Sequence, residues 1–211
     1  MSYNGTLLYH KFLFNRWIES KKILAQKAEQ IIAISENTKK DIIDLYGIDK
    51  NKIKVIYLGN SLKTKAINIS EYITLPDKYI LFVGNRSGYK NFNTLIEAII
   101  ILLKNDKKLN IVCAGGGKFT SEEIKLFEQF NIQNRVHQYN VNDTILSYLY
   151  KNALVFIFSS MYEGFGIPII EAFSSGCPVI LANSSSFPEI ASDAAIYFKA
   201  DDKERIREIT E

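Results

Sequence analysis

The 211-residue chain is poor in the residues that disulfide scaffolds, metal sites and membrane spans require. It has two cysteines, two histidines and four prolines. Two cysteines are too few for a disulfide framework in a chain of this length. We therefore expect Cys113 and Cys177 to be reduced and buried in their apolar segments. His10 and His137 have no Cys, His or acidic partner at ligand spacing, so no metal site is predicted. Apolar runs such as Ala98–Leu103 are far too short to cross a bilayer.

An excess of one charge is also lacking, because the formal net charge is only +3. Residues 1–65 nevertheless hold 12 Lys and Arg against 6 Asp and Glu. This basic third favours either solvated helix faces or contact with an anionic membrane surface or a phosphate-bearing acceptor. No nucleic-acid partner is expected, because the basic residues are not interleaved with aromatic ones. Residues 1–20 do not read as a secretory signal, so we expect a cytoplasmic protein, peripheral to the inner face of the membrane if such contact forms.

Apolar runs alternate with helical patterns along the chain, which is typical of α/β proteins with a parallel sheet covered by helices. The later part predicts a doubly wound, Rossmann-like sheet with strands at Tyr79–Val83, Leu109–Ala114, Val136–Tyr139, Leu154–Ser159, Pro178–Ala182 and Ala195–Phe198. Helices are predicted at Asn93–Leu103, Thr120–Phe130, Asp143–Lys151, Ile167–Ser175 and from Asp202 onward. Earlier, the pattern predicts a helix over Leu7–Ala28, strands over Gln30–Ile34 and Lys52–Leu58, and between these strands a helix capped by Ser35 or Asn37. Gly47 and Gly176 occupy the places of left-handed helix caps.

The most informative segment runs from Ser159 to Phe173 and holds two glutamates, Glu163 and Glu171, with seven residues between them. Two glycines form a turn at which a ligand can approach the backbone, because glycine has no Cβ. Pro168 then fits the first turn of a helix, whose unpaired N–H groups and positive dipole end attract anions. A buried carboxylate needs a partner, and a vicinal diol offers it two O–H donors. The segment therefore predicts a site for sugar hydroxyls and phosphate.

A second candidate segment, Phe82–Asn91, follows the first strand of the predicted Rossmann-like sheet. It carries Arg86 and Lys90 at the carboxyl end of that strand, where open α/β sheets bind their ligands. The planar fork of arginine and the compact charge of lysine suit an oxygen-rich anion such as a diphosphate. Two basic residues in a loop are commonplace, but together with the two glutamates they predict an anion site.

Together the two segments resemble the donor site of retaining glycosyltransferases with the two-domain GT-B fold, in particular glycosyltransferase family four. The resemblance runs from about Ala28 to Asp202. It implies transfer of a hexose from a nucleotide-diphosphate sugar to a glycan or lipid-linked acceptor with retention. Asn91 matches a subgroup that is often mannosyltransferase-like. No cofactor is implied, and the co-substrate is expected to be a GDP- or UDP-linked sugar.

By this resemblance, Arg86, Lys90 and Glu163 are the expected catalytic residues, the first two at the diphosphate and the third at the donor sugar. Glu171 is expected to bind the ribose, and the loop around Tyr139 and Val141 the base. The other expected donor contacts are Gly84, Asn85, Gly115, Gly164, Phe165, Gly166 and Ile167. For Gly115–Gly117, plain turn geometry stays an equal alternative. Ser159 stands where relatives often have proline, and we expect only a small change in turn rigidity.

The resemblance also divides the chain. Residues 1–62 are expected to be the terminal part of an acceptor-side Rossmann-like domain, residues 63–78 a linker, and residues 79–211 the nucleotide-sugar donor-binding domain. The opening part of the first domain has no counterpart here, so uncovered apolar surface should favour self-association. A non-catalytic nucleotide-sugar-binding fragment or a subunit of a split enzyme is therefore an alternative. A GT-B-like epimerase is a third, for which no acid/base pair is visible.

Overall fold

The structure, a computed structural model, describes residues 17–62 and 73–199. The chain divides into two compact units, Met1–Tyr57 and Leu58–Glu211. Residues 63–72 of the predicted linker lie outside the described residues, as do His10, the first part of the predicted Leu7–Ala28 helix and the helix predicted from Asp202. The assignment of residues 63–78 as a linker therefore stays a prediction.

In its described part, the smaller unit contains two α-helices and a short parallel sheet. Its described elements are helix α1 over residues 17–27, strand β1 (Ile31–Ala33), helix α2 (Glu36–Tyr46) and strand β2 (Ile53–Val55). β1 and β2 pair in parallel. Ser35 caps α2 by accepting a hydrogen bond from the Thr38 N–H, and Gly47 ends it with a φ of 66°, as predicted. Ala33, Ile48 and Ile53 form its small core.

Six strands form the sheet of the larger unit: β3 (Lys78–Val83), β4 (Leu109–Ala114), β5 (Val136–Tyr139), β6 (Val155–Phe158), β7 (Val179–Ala182) and β8 (Ile196–Phe198). Their order is β5-β4-β3-β6-β7-β8, and every neighbouring pair is parallel. The central strands are buried on both faces, which explains why their sequences are nearly continuous apolar runs. This is the Rossmann strand order, so the predicted doubly wound sheet is confirmed.

Helices α3 (Phe92–Asn105), α4 (Ser121–Phe130), α5 (Asp143–Asn152), α6 (Ile167–Ser174) and α7 (Phe187–Ala191) connect these strands. α3 contacts α4, and α5 contacts α6. Fully buried side chains such as Leu81, Ile96 and Phe156 join sheet and helices in one core. The predicted strands of this unit and its helices α3 to α6 are confirmed to within two residues. α7 was not predicted, because its five residues follow a serine-rich segment that is typical of a loop.

Cys113, Cys177 and His137 lie within the fold of the larger unit and contact other parts of the protein. Cys113 and Cys177 are buried, unpaired thiols, as predicted. Burial raises the pKa of the Cys177 thiol to about 11, so it stays protonated at neutral pH. The His137 Nε2 lies 2.9 Å from the side-chain oxygen of Asn110 on the neighbouring strand. Gly176 has a φ of 70°, which agrees with the predicted left-handed cap.

Candidate functional site

The strand order of the larger unit creates a crevice at the carboxyl edge of its sheet. β3 and β6 are neighbours, yet the chain leaves β3 toward β4 on one side and β6 toward β7 on the other. The chain therefore continues in opposite directions after the two strands, and the loops that follow them, residues 84–91 and 159–166, border a common crevice. Open α/β sheets bind ligands at such a switch point. Both segments singled out in the sequence lie there.

Lys90 and Glu163 meet in this crevice. The Lys90 Nζ donates a hydrogen bond to the Glu163 Oε1 over 2.6 Å, and the two side chains are 13% and 17% exposed. The ammonium group also lies 5.0 Å from the centre of the Phe158 ring. The pair is mostly buried but still reached by solvent, and a cation beside a carboxylate is an arrangement that can bind both phosphate and hydroxyl groups.

Two further hydrogen bonds tie the loop after β6 to the loop after β3. The Ser159 hydroxyl, fully buried, donates to the Lys90 carbonyl over 2.8 Å. The Met161 N–H donates to the Tyr89 carbonyl over 2.8 Å. Ser159 therefore does more than alter turn rigidity, because its side chain fixes the backbone from which Lys90 projects.

Arg86 has a different set of partners. It is only 6% exposed, and its Nε–H donates to the Glu123 Oε1 over 2.7 Å. Its terminal nitrogens donate to four successive carbonyls after β4, those of Gly115 (3.1 Å), Gly116 (3.4 Å), Gly117 (2.9 Å) and Lys118 (3.0 Å). The structure thus joins Lys90 to Glu163 and directs Arg86 to Glu123 and the glycine loop. The role of Arg86 at a diphosphate stays a prediction.

The three glycines after β4 all have positive φ, at 82°, 72° and 71°. A Cβ on Gly116 would lie 2.6 Å from the Arg86 Nη1 and 2.7 Å from the Gly84 carbonyl oxygen. A Cβ on Gly115 or Gly117 would meet nothing within 4 Å. Turn geometry therefore explains the outer two glycines, whereas Gly116 is also needed for the close approach of the Arg86 side chain.

Glu171 lies on the second turn of α6 and is half-buried. The Tyr150 hydroxyl donates to its Oε2 over 3.1 Å. Burial raises the pKa of the Glu171 carboxyl, the Tyr150 hydrogen bond acts in the opposite direction, and the negative charge of Asp143 adds to the rise. A carboxylate in such surroundings gains from additional O–H donors, which a ligand diol supplies.

The turn between the two glutamates is closely packed. Gly166 has a φ of 96°, and a Cβ there would lie 2.9 Å from the Ile169 Cδ1 and 3.0 Å from the Phe187 Cε1. Gly164 precedes the buried Phe165, and Ile167 is the first residue of α6. Glycine at position 166 therefore permits α6 to begin directly at the crevice.

The remaining predicted contacts surround the carboxyl ends of β3 and β5. Gly84 has a φ of 111°, and a Cβ on it would lie 3.9 Å from the Lys90 Nζ. The Asn85 side-chain oxygen accepts the Ser87 N–H. The Tyr139 hydroxyl donates to the Thr74 carbonyl over 2.7 Å, and Val141 packs partly buried on the core. These four predicted residues thus lie at the same edge of the sheet as the Lys90–Glu163 pair.

A cavity of about 510 Å³ opens on the Arg86 side of the 84–91 loop. Its lining includes Ser87, Asn93, Thr120 and Glu122 but neither glutamate of the motif. Arg86 and Glu123 are also among its lining residues.

Sequence reasoning missed several residues that position the predicted ones. They are Glu123, Tyr150, Ser159 and the run Ser184–Ser186, which holds the backbone of Glu163. The run follows β7 at the same edge of the sheet, and that placement is the signal that could have revealed it. Glu123 carries a weaker signal, since Thr120 and Glu123 form a capping box.

Comparison with known proteins shows the family to which the chain belongs. Residues 69–210 match the family described as "Glycosyl transferases group 1", and residues 2–63 match "Glycosyltransferase Family 4". The chain belongs to the group 1 glycosyltransferases. The predicted GT-B glycosyltransferase fold is thereby confirmed, and its six-stranded parallel sheet agrees with solved glycosyltransferase structures.

Three similar proteins illustrate this glycosyltransferase relationship. The chain is 28% identical to the O-antigen chain mannosyltransferase RfbU of Salmonella typhimurium, over 93% of this chain and 52% of RfbU. It is 28% identical to O-antigen chain mannosyltransferase B of Escherichia coli, over 85% of this chain and 50% of that protein. The structure of Anabaena Alr3699/HepE in complex with UDP and glucose matches with a TM-score of 0.78 and 20% identity, over 91% of this chain and 55% of that one. The chain spans about half the length of the curated relatives it matches.

The described helices do not meet the requirements for spanning a membrane. Within residues 17–62 and 73–199, no helix combines the length and the apolar character that crossing a bilayer requires.

Proposed function

We propose that the protein is a retaining hexosyltransferase that moves a hexose from a GDP- or UDP-linked sugar to a glycan or lipid-linked acceptor. The observation that carries the proposal is the Lys90–Glu163 pair at the switch point, 2.6 Å apart and mostly buried. Mannose is the favoured sugar, because both curated relatives named above are mannosyltransferases.

The proposed donor runs along the carboxyl edge of the sheet. Its diphosphate faces the Lys90 ammonium and the start of α6, where the helix dipole favours anions. Glu163 accepts hydrogen bonds from the sugar hydroxyls. Glu171, already bonded to Tyr150, accepts those of the ribose diol.

In the proposed reaction, the bond between the anomeric carbon and the diphosphate oxygen breaks, and that oxygen keeps the electron pair. The acceptor hydroxyl oxygen forms the new bond to the same carbon from the same face, and its proton passes to the departing phosphate. Lys90 and the α6 start stabilise the charge that develops on the leaving group. Loss of one such preorganised donor costs about 3–4 kcal/mol of barrier.

The test begins with binding to the full 211-residue chain. We expect calorimetry with GDP, UDP, GDP-mannose and UDP-glucose to detect one nucleotide class. Binding should be lost in Lys90→Met and retained in Lys151→Ala, which removes an exposed lysine of α5. Release of nucleoside diphosphate in the presence of a mannose-terminated oligosaccharide then tests transfer. Failure to bind any of the four ligands would contradict the proposal.

A second candidate is a non-catalytic nucleotide-sugar-binding protein or one subunit of a split enzyme. The observation that favours it is the span of the match, since the curated relatives are about twice as long as this chain. Nucleotide-sugar binding without release of nucleoside diphosphate would support this candidate over the transferase.

Two partner interactions belong to the same proposal. Trp17, Leu24 and Ile32 of the smaller unit are more than half exposed, and residues 1–65 of the sequence hold 12 Lys and Arg against 6 Asp and Glu. Such a surface favours self-association or contact with anionic lipid. Light scattering tests the first, and co-sedimentation with phosphatidylglycerol vesicles tests the second.

A further inference from the structure

The segment between β7 and α7 contains three consecutive serines, Ser184–Ser186, here termed the serine turn. The Ser185 hydroxyl oxygen accepts the Glu163 N–H over 2.9 Å. The Ser186 hydroxyl is shared between the carbonyls of Glu163, at 3.0 Å, and Phe165, at 2.9 Å. The serine turn therefore holds both polar backbone groups of Glu163.

The serine turn is itself strongly constrained. Ser185 has a φ of 47°, a conformation that is unfavourable for a residue with a Cβ. Such strain persists only where the surroundings impose it, and it clusters at functional sites. The surroundings here are tight, because Ser186 is fully buried and the Ser184 hydroxyl donates to the Ser160 carbonyl over 3.0 Å. A strained turn whose three serine side chains make four hydrogen bonds to one loop is a rigid support for that loop.

Glu163, which the serine turn holds, lies at the crevice with Lys90. The carboxylate of Glu163 contacts Lys90, while its main chain is held by the serine turn. The position of the carboxylate relative to the ammonium group therefore depends on two elements, the loop after β3 and the loop after β7. A shift of about 1 Å in either would misplace a group that must meet specific ligand hydroxyls.

We propose that the serine turn positions Glu163 for recognition of the donor sugar, so that Ser185 and Ser186 are positioning residues for the hexose part of the donor. This inference rests on the proposed function, in which Glu163 binds the sugar. The serine turn should then affect the affinity for a nucleotide sugar more than the affinity for the corresponding nucleoside diphosphate.

The experiment compares Ser185→Gly and Ser186→Ala with the unmodified chain in calorimetric titrations of GDP, UDP, GDP-mannose and UDP-glucose. Glycine suits the positive φ of Ser185, so Ser185→Gly removes the hydrogen-bond acceptor without straining the fold. The matched control is Ser192→Gly, because Ser192 is exposed and has the same φ of 47°. We expect each serine-turn variant to lose about threefold to tenfold in nucleotide-sugar affinity and to keep its nucleoside diphosphate affinity, as the loss of one or two hydrogen bonds predicts. Ser192→Gly should change neither.

The Glu163→Ala background separates positioning from general weakening of the fold. If the serine turn acts through Glu163, Ser185→Gly should have no further effect on nucleotide-sugar affinity in that background. Equal losses for the nucleotide sugar and the nucleoside diphosphate, or no loss at all, would overturn the inference and leave the proposed function standing. An unmodified chain that binds none of the four ligands would overturn both.

Discussion

Replacing Gly116 by alanine, with Gly117→Ala as its matched control, tests whether Arg86 is anchored by the glycine loop as described. The two glycines have nearly the same φ, 72° and 71°. Alanine at either position must adopt a left-handed conformation, which costs about 1–2 kcal/mol. The new methyl group meets nothing within 4 Å at position 117, whereas at position 116 it would lie 2.6 Å from the Arg86 Nη1 and 2.7 Å from the Gly84 carbonyl oxygen.

The additional cost at position 116 follows from the contacts that must break. The Gly84 backbone is held by the hydrogen bond from its N–H to the Ala114 carbonyl. The guanidinium must therefore move, and the glycine loop must shift away from the Gly84 carbonyl. Loss of a hydrogen bond that involves a charged group costs about 1.5–3 kcal/mol. We therefore expect Gly116→Ala to lower the free energy of unfolding by about 3–5 kcal/mol and Gly117→Ala by about 1–2 kcal/mol.

Urea unfolding followed by circular dichroism measures both values, provided that the slope of the transition is unchanged. The difference between the two variants should be about 2–3 kcal/mol. This difference in stability should become smaller when Arg86→Met is added to each glycine variant, because the methyl group at position 116 then has no guanidinium to displace. Equal effects of the two glycine substitutions would refute the anchoring of Arg86 by this loop.

The remaining predictions concern the two glutamates of the motif. Glu171→Ala should weaken binding of the preferred nucleoside diphosphate about tenfold or more, as measured by calorimetry, and unchanged affinity would count against a ribose contact. Because the pKa of the free Glu171 carboxyl is raised and the diol requires the carboxylate, affinity should be full above that pKa and decline as pH falls through it. This decline should begin at a higher pH than an ordinary glutamate would give, and Glu171→Gln should abolish it. Lys90→Met should destabilise the fold because it strands the Glu163 charge, and adding Glu163→Gln should restore part of the loss in thermal unfolding.

The fold was predictable because burial on both faces of a parallel sheet leaves a strong signal. Segments such as Leu81–Val83 and Ile111–Ala114 are apolar at successive positions, and helical periodicity separates them. Once the strand order is that of a doubly wound sheet, the loops after β3 and β6 must meet at one edge. The meeting of Lys90 with Glu163 follows from the same topology.

The direction of Arg86 could not be predicted in the same way. A long side chain in a loop can reach several acceptors that are close in space but far apart in the sequence. The partner of Arg86 is Glu123, 37 positions further along the chain. Gly116 permits the contact between Arg86 and Glu123 because the absence of a Cβ leaves room for the guanidinium. The serine turn was missed for a related reason, because serines after a strand are common in loops and only their position opposite Glu163 distinguishes these three.

Glu123 takes part in two structures at once. Its carboxylate accepts the Thr120 N–H over 2.7 Å at the start of α4, and the same group neutralises Arg86. A substitution at this position would remove one half of the capping box and leave a buried cation without its carboxylate partner, so intermediates on the way to any other pair would be poorly folded. Positions 86, 120 and 123 should accordingly covary among homologues, so that a change at one is accompanied by changes at the other two.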